Sequence, residues 1–258
     1  MYNKRITFSL LYSKGYFHLS RNFRLQKVGD LNWLKENYRF NETCQYIDEL
    51  IFILVTKNPE KNEIKQFLES VNEARKKIFA PIILGGAIRN LSNVKSYFDN
   101  GADKIIINTK ADDQKFLEQI SNLYGSQAIS IMLDYKIDKK EHAYNVYTEC
   151  GKFRKKNDLF KTIKNLDQSY YGELILHSID KDGTGDGHDL TLLKNLSSIK
   201  KPILLMGGAG KPEHIVNSLK NDLISGIITA NLFNFIGNGL KNTRELAISQ
   251  NVNVAKLI

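Results

Sequence analysis

Two stretches of this chain, Ala80-Pro81-Ile82-Ile83-Leu84-Gly85-Gly86-Ala87 and Lys201-Pro202-Ile203-Leu204-Leu205-Met206-Gly207-Gly208-Ala209, follow one pattern, and their glycine pairs lie 207 − 85 = 122 positions apart. The likeness extends outward. Ile105-Ile106-Ile107 returns as Ile227-Ile228 at the same offset, and Asp48-Glu49-Leu50 returns as Gly172-Glu173-Leu174 at 173 − 49 = 124. A unit this long, with several buried-strand runs per copy, is not a short-period solenoid, whose repeats run to about 20–50 residues. It predicts a duplicated half-barrel.

Continuous apolar runs of strand length, rich in Ile and Leu, occur near 5–11, 49–55, 81–85, 103–108, 127–133, 172–178, 202–206 and 225–230. Runs without alternation suit parallel strands covered on both faces. Amphipathic segments of helical spacing lie between them, most clearly over 62–76, 91–98 and 113–123, and Pro212 suits the first turn of a helix beginning near Glu213. An open doubly wound sheet is the alternative, but eight evenly placed β/α units with an internal two-fold repeat favour closure. The length of 258 residues matches the roughly 250 of one (β/α)8 TIM barrel, and no Pro-, Gly- or Ser-rich linker divides the chain. One α/β domain over residues 1–258 is expected.

Composition removes several function classes. No apolar run approaches the roughly 18 residues of a membrane span, so no membrane partner is expected. The first residues lack the apolar core and small-residue cleavage site of a signal peptide, which points to the cytoplasm. Cys44 and Cys150 have neither metal-type nor redox-type spacing and read as unpaired thiols in a reducing compartment; no metal or cofactor is implied. The formal charge of +9 invites a nucleic-acid partner, yet the lysines are scattered. The one dense cluster, Lys152-Phe153-Arg154-Lys155-Lys156, reads as a solvated basic loop, and no nucleic-acid partner is expected.

In such barrels the active site lies at the C-terminal ends of the strands. Gly85-Gly86 and Gly207-Gly208-Ala209-Gly210 end the third and seventh runs, where the missing side chains let backbone N–H groups approach an anion. Asn108-Thr109 and Ala230-Asn231 end the runs that follow and offer donors to the same oxygens. Tight turns alone would also explain a lone Gly-Gly; two matching pairs predict two phosphate cradles and a bisphosphate-sized ligand. After the sixth run, Ser178-Ile179-Asp180-Lys181-Asp182-Gly183-Thr184-Gly185-Asp186-Gly187 reads as a mobile loop over the second cradle, with Asp182 and Gly183 at the ligand. Asp134 closes the fifth run, where a carboxylate with few neighbours can serve as general acid or base. Its half-barrel counterpart, at the middle offset, falls at 134 − 123 = 11, which is Leu11 and cannot transfer a proton.

Together these residues resemble the HisF family, the cyclase subunit of imidazole glycerol phosphate synthase, over essentially the whole chain. The resemblance is carried by Gly101-Ala102-Asp103-Lys104, Ile107-Asn108-Thr109, Gly125-Ser126-Gln127-Ala128, Ser178-Ile179-Asp180-Lys181-Asp182-Gly183-Thr184 and Gly207-Gly208-Ala209-Gly210-Lys211. It implies a cyclase/lyase barrel, heterodimeric with a glutaminase docked at the N-terminal face near Asp103, that uses ammonia at the opposite face on a phosphorylated small molecule. It further implies that Asp134 is one of two catalytic aspartates, that Leu11 replaces the other, and that Leu54 replaces a further aspartate. Arg5, Glu49, Lys104 and Glu173 match the family's ammonia gate; a salt-bridge ring that only stabilises the barrel floor is the plainer alternative. Leu10-Leu11-Tyr12-Ser13-Lys14-Gly15 with Lys27-Val28-Gly29-Asp30 is similar to a divergent HisF branch associated with amidation of surface-polysaccharide sugars, in which a separate sugar-amidating synthetase also takes part. The competing expectations are a cyclase of histidine biosynthesis that recruits Asp180 or Asp182 as its second acid, and a non-catalytic scaffold for a glutaminase.

Overall fold

A computed structural model describes residues 3–38, 42, 44–76, 78–138, 140–230 and 238–256. Strand β1 (Arg5–Ser13) runs on into an antiparallel hairpin, β2 (Tyr16–Arg21) and β3 (Arg24–Gly29), ahead of helix α1 (Leu31–Tyr38). There follow β4 (Glu49–Leu54), α2 (Lys61–Arg75), β5 (Ile82–Gly85), α3 (Leu91–Asp99), β6 (Lys104–Ile107) and α4 (Gln114–Tyr124). The second half repeats the plan. β7 (Ile129–Asp138) runs on into the hairpin β8 (Ala143–Thr148) and β9 (Phe153–Asp158) ahead of α5 (Leu159–Asn165); then come β10 (Glu173–Ser178), β11 (Ile203–Met206), α6 (Pro212–Leu219), β12 (Ile224–Thr229) and α7 (Gly239–Ser249).

All eight apolar runs become parallel strands, in the order β1-β4-β5-β6-β7-β10-β11-β12 and back to β1, so the sheet closes on itself. Closure brings Arg5 beside Gly226 on one flank of β1 and Thr7 beside Glu49 on the other. Side chains alternate between the two faces of a strand. The inward set packs as Ile51, Ile83, Ile106, Met132, Ile175, Leu204, Met206 and Ile228, and the outward set joins the helices in a larger shell built around Phe8, Phe52, Phe67, Tyr97 and Tyr171.

Three sequence expectations are corrected. The described residues form seven α-helices rather than a full set of eight: β10 and β11 are joined by a 3-10 turn at Thr191–Asn195, because the Gly- and Asp-rich stretch before it uses up the connection. Both hairpins are additions to the barrel that periodicity did not announce. The basic cluster at 152–156 is no free loop, since Phe153–Asp158 is the outer hairpin strand β9, and Lys155 is ion-paired to Asp112 at 2.7 Å.

The last helix is locked to the first half by a buried arginine. Arg244 donates to the carbonyls of Tyr46 and Ala255 and ion-pairs with Asp48 at 2.8 Å, while Asp48 also accepts from the Ile6 amide. A bridge between Lys4 and Val254 closes the same seam. Among the described residues no helix is long and apolar enough to cross a membrane, and no group of three or more His, Cys, Asp or Glu side chains is placed to hold a metal ion. Cys44 and Cys150 are unpaired thiols; burial pushes the Cys44 thiol up to about 12.

Candidate functional site: a charged floor and a two-chambered mouth

The inward positions sort by height. At the N-terminal end, Arg5 donates to Glu49 and to Glu173, each at 2.6 Å, and Lys104 reaches Glu49 at 2.6 Å and Glu173 at 3.3 Å. Two cations and two anions therefore alternate around a closed ring. Thr7 donates to Glu49 and Ser130 to Glu173, so both buried carboxylates are fully engaged. Burial alone would raise the Glu173 carboxyl, but Arg5, Lys104 and Ser130 hold it below the usual range; burial would likewise lower Arg5, and the two glutamates hold it up. All four residues singled out in the sequence meet here. Above the ring, inside the barrel, Ser9 is buried and its hydroxyl has no hydrogen-bond partner among the described residues.

At the opposite end, alternation carries Ser130-Met132-Asp134 and Glu173-Ile175-His177 from floor to mouth side by side, and strand register sets His177 next to Asp134. His177 Nδ1 is 3.2 Å from Asp134 Oδ1, and its Nε2 is 3.8 Å from Asp182 Oδ1, an ionic contact rather than a hydrogen bond. Asp182 in turn accepts from the Ser20 hydroxyl at 2.5 Å and the Phe23 amide at 3.0 Å, and the Phe23 ring leans on the imidazole. Burial would lower the His177 pKa, yet the two flanking carboxylates overcome it and raise it to about 9; His177, Ser20 and Phe23 together hold Asp182 below the ordinary carboxylate range. The raised pKa favours the protonated form of the His177 imidazole where it lies between Asp134 and Asp182.

This corrects the picture of Asp134 as a carboxylate with few neighbours. It is buried, and besides His177 it accepts from the Asn108 side-chain amide at 3.1 Å. That amide also donates to the Met132 carbonyl, so both of its hydrogens point at strand β7. Leu11, on β1, lies four strands away around an eight-stranded barrel and thus across the mouth, where it lines the same cavity as Asp134, His177, Leu54 and Thr109. Neither Asp180 nor Asp182 occupies the place across from Asp134: Asp180 caps the Ile137 amide at 2.7 Å, and Asp182 sits behind His177. The stretch 178–187, expected as a mobile loop over the second cradle, is tied to the first hairpin, with Asn22 donating to the carbonyls of Ile179, Asp180 and Asp182.

The mouth has two chambers. The first, about 160 Å³, takes in Gly86, Asn108 and Thr109 with the wall of Leu11, Ile53 and Leu54. Gly86 has φ +85, and a Cβ there would overlap the Leu54 carbonyl, so only glycine lets the chain turn at this point. The second, about 310 Å³, is floored by Gly207, Gly208 and Ala230, with Asp182 and Gly183 on its flank and Arg21 and Arg24 on the hairpin above. Gly210 sits just beyond, its amide donating to His214 Nδ1 at 3.2 Å. Gly85 is the buried last residue of β5, and Asp103, at the floor end, bonds the Ile82 amide at 2.8 Å. Asn231 lies outside the described residues.

Sequence reading missed His177, Ser20, Phe23, Arg89 and Glu149. For His177 a signal existed: it interrupts Leu174-Ile175-Leu176 at an inward position level with Asp134. Nothing in the sequence announced the others, which reach the mouth on the two hairpins or in the turn after β5.

A closed eight-stranded α/β barrel with paired glycine turns and a cluster of titratable side chains at the C-terminal mouth defines a TIM-barrel scaffold with a pocket of small-molecule size. The model of the histidine biosynthesis protein family matches residues 35–237. A protein of Parasynechococcus marenigrum named putative imidazole glycerol phosphate synthase subunit hisF2 is 39% identical over 96% of this chain and 91% of its own length. Imidazole glycerol phosphate synthase subunits HisF of Leptospira biflexa and Chlorobium phaeobacteroides are 35% and 30% identical, covering 77% and 91% of this chain and 78% and 92% of their own. The chain belongs to the histidine biosynthesis protein family, and within it to the HisF proteins.

Proposed function

We propose that this HisF-type subunit receives ammonia from a glutaminase docked on its floor, passes it through the barrel, and delivers it at the mouth to a phosphate-containing substrate or a partner synthetase, for amidination of a sugar in surface-polysaccharide biosynthesis. The observation that carries this reading is Leu11 in the wall across from Asp134, above a floor ring in which all four charges are retained. Ring closure to an imidazole needs proton transfer at two places, and loss of one transferring group costs about 10²–10⁴-fold. Passage of neutral ammonia needs neither group. It needs a ring that can part and a lumen with polar stations, for which Arg5 and Lys104 at the floor and the buried Ser9 hydroxyl, without a hydrogen-bond partner among the described residues, are suited. Docking near Asp103 and a cytoplasmic location, where both thiols stay reduced, belong to the same reading.

The purified chain mixed with its glutaminase, ammonium salt and the bisphosphate ribonucleotide should give no imidazole glycerol phosphate above background. Robust turnover would overturn the proposal. A second reading, a cyclase of histidine biosynthesis, is favoured by one observation: His177 and Asp182 give Asp134 acid–base company that could replace the missing carboxylate. In that case turnover is present and Leu11→Asp scarcely alters it.

A further inference from the structure

We propose that the mouth takes a ligand phosphorylated at one end only, a phosphate or diphosphate ester of an otherwise uncharged sugar, with its charged end in the second chamber and its neutral end in the first. This rests on the reading of the glycine turns as phosphate cradles and departs from the bisphosphate that two equivalent cradles would take.

The chambers sit at equivalent places in the two half-barrels, yet their charges differ. In the second, Arg21 and Arg24 stand at paired positions on the hairpin, and neither has an acidic partner among the described residues. The one acid lining that chamber among the described residues, Asp182, is already covered by His177, Ser20 and the Phe23 amide. Gly207 and Gly208, with φ +97 and +104, line the chamber with backbone while their missing side chains leave room for the Ser178 and Gly187 carbonyls on the other side. Two unspent guanidiniums over bare backbone are well matched to phosphoryl oxygens, which Arg holds through its planar fork.

The first chamber is provided differently, with one lysine, one ion-paired arginine and a single positive-φ glycine among the described residues that line it. Ala87, beside Gly86, holds a left-handed φ of +53 and carries a Cβ into the turn. Arg89 is held by Glu149 at 2.7 Å, and that hydrogen bond keeps the Glu149 carboxyl below its usual range, so the chamber is lined by an ionised acid. Lys57 stands over the Phe153 ring at 4.7 Å, and the Asn108 amide points at β7. A phosphate entering here would meet the charge of Glu149 and displace an existing ion pair; a sugar ring facing Leu11, Ile53 and Leu54 would meet neither cost.

Isothermal titration of the full chain tests the assignment with three probes: inorganic phosphate, glucose 1-phosphate and fructose 1,6-bisphosphate. One phosphate should bind per chain, and the bisphosphate should gain less than about threefold over the monophosphate. The exposed double variant Arg21→Gln/Arg24→Gln, shown folded by circular dichroism, should lose at least about tenfold in phosphate affinity, as expected for charged hydrogen bonds. Glu149→Gln should raise bisphosphate affinity. Two phosphates per chain, a bisphosphate bound about tenfold or more tighter than glucose 1-phosphate, or phosphate affinity indifferent to the arginine pair would each overturn this inference and leave ammonia delivery standing. Absence of binding by all three probes would overturn it together with the cradles on which it rests.

Discussion

The two half-barrels agree at the floor and part company at the mouth. Glu49 and Glu173 hold matching positions at the starts of β4 and β10, each shared between Arg5 and Lys104 and each steadied by one hydroxyl. The hairpins correspond as well: each follows the first strand of its half, and their turns place Asn22-Phe23 and Glu149-Cys150 at positive φ. Across the mouth the match fails, with Leu11 against Asp134 and the spent Arg89 against the unspent Arg21 and Arg24. The difference has a physical reason. Floor charges from both halves neutralise one another, so a change in one copy leaves an uncompensated buried charge. Mouth residues border a cavity, where one copy can change without stranding a partner in the other.

That contrast can be broken experimentally. Arg5→Met should be the costliest change, about 3–5 kcal/mol in denaturant unfolding, because two buried glutamates would be left with one lysine; a loss under about 1 kcal/mol would mean the ring is not the shared keystone described. His177→Gln should cost roughly 2–3 kcal/mol at pH 6. The folded pKa of His177 lies above its unfolded value, so this stabilisation is complete below about 6.5 and disappears as pH rises through about 9. The stability gap between wild type and variant should therefore close over that window, and a flat gap would show the imidazole between Asp134 and Asp182 to be uncharged. Gly86→Ala and Gly208→Ala each place a Cβ on a carbonyl, of Leu54 and of Gly187, at positive φ. Each should cost about 1–3 kcal/mol, and clearly unequal losses would show that the turns have diverged along with their chambers. Smallest is Cys150→Ser, whose thiol touches only the Val55 carbonyl at 3.4 Å among the contacts described; thermal melting should change by the equivalent of about 0.5 kcal/mol or less.

Periodicity exposed the barrel because a parallel strand covered on both faces is apolar along its middle, and this holds for all of β5 and β11 and for β4, β6 and β10 apart from their polar ends. The hairpins were hidden for the opposite reason. In β3 and β9 most residues are exposed, so Lys152-Phe153-Arg154-Lys155-Lys156 looked like loop while forming a ladder with β8. The floor ring was readable because four charges interrupt or open apolar runs. The mouth was readable only in part: Asp134 ends its run, whereas Ser20, Phe23 and Glu149 arrive on hairpins whose direction is set by strand pairing that no local pattern encodes.

The seam between the ends of the described chain sets an order of events. Residue 5 leaves the ribosome about two hundred residues before β12 and the Arg244 helix that complete its neighbourhood. At about 5–20 residues per second, β1 waits roughly 10–40 s with one edge unpaired. During that interval Arg5 has met Glu49, but the open edge of β1 can accept any strand that offers itself. A nascent barrel of this kind is therefore most exposed to misassembly just before β12 emerges to pair with β1, and Arg244 on the helix that follows then fastens the closed seam.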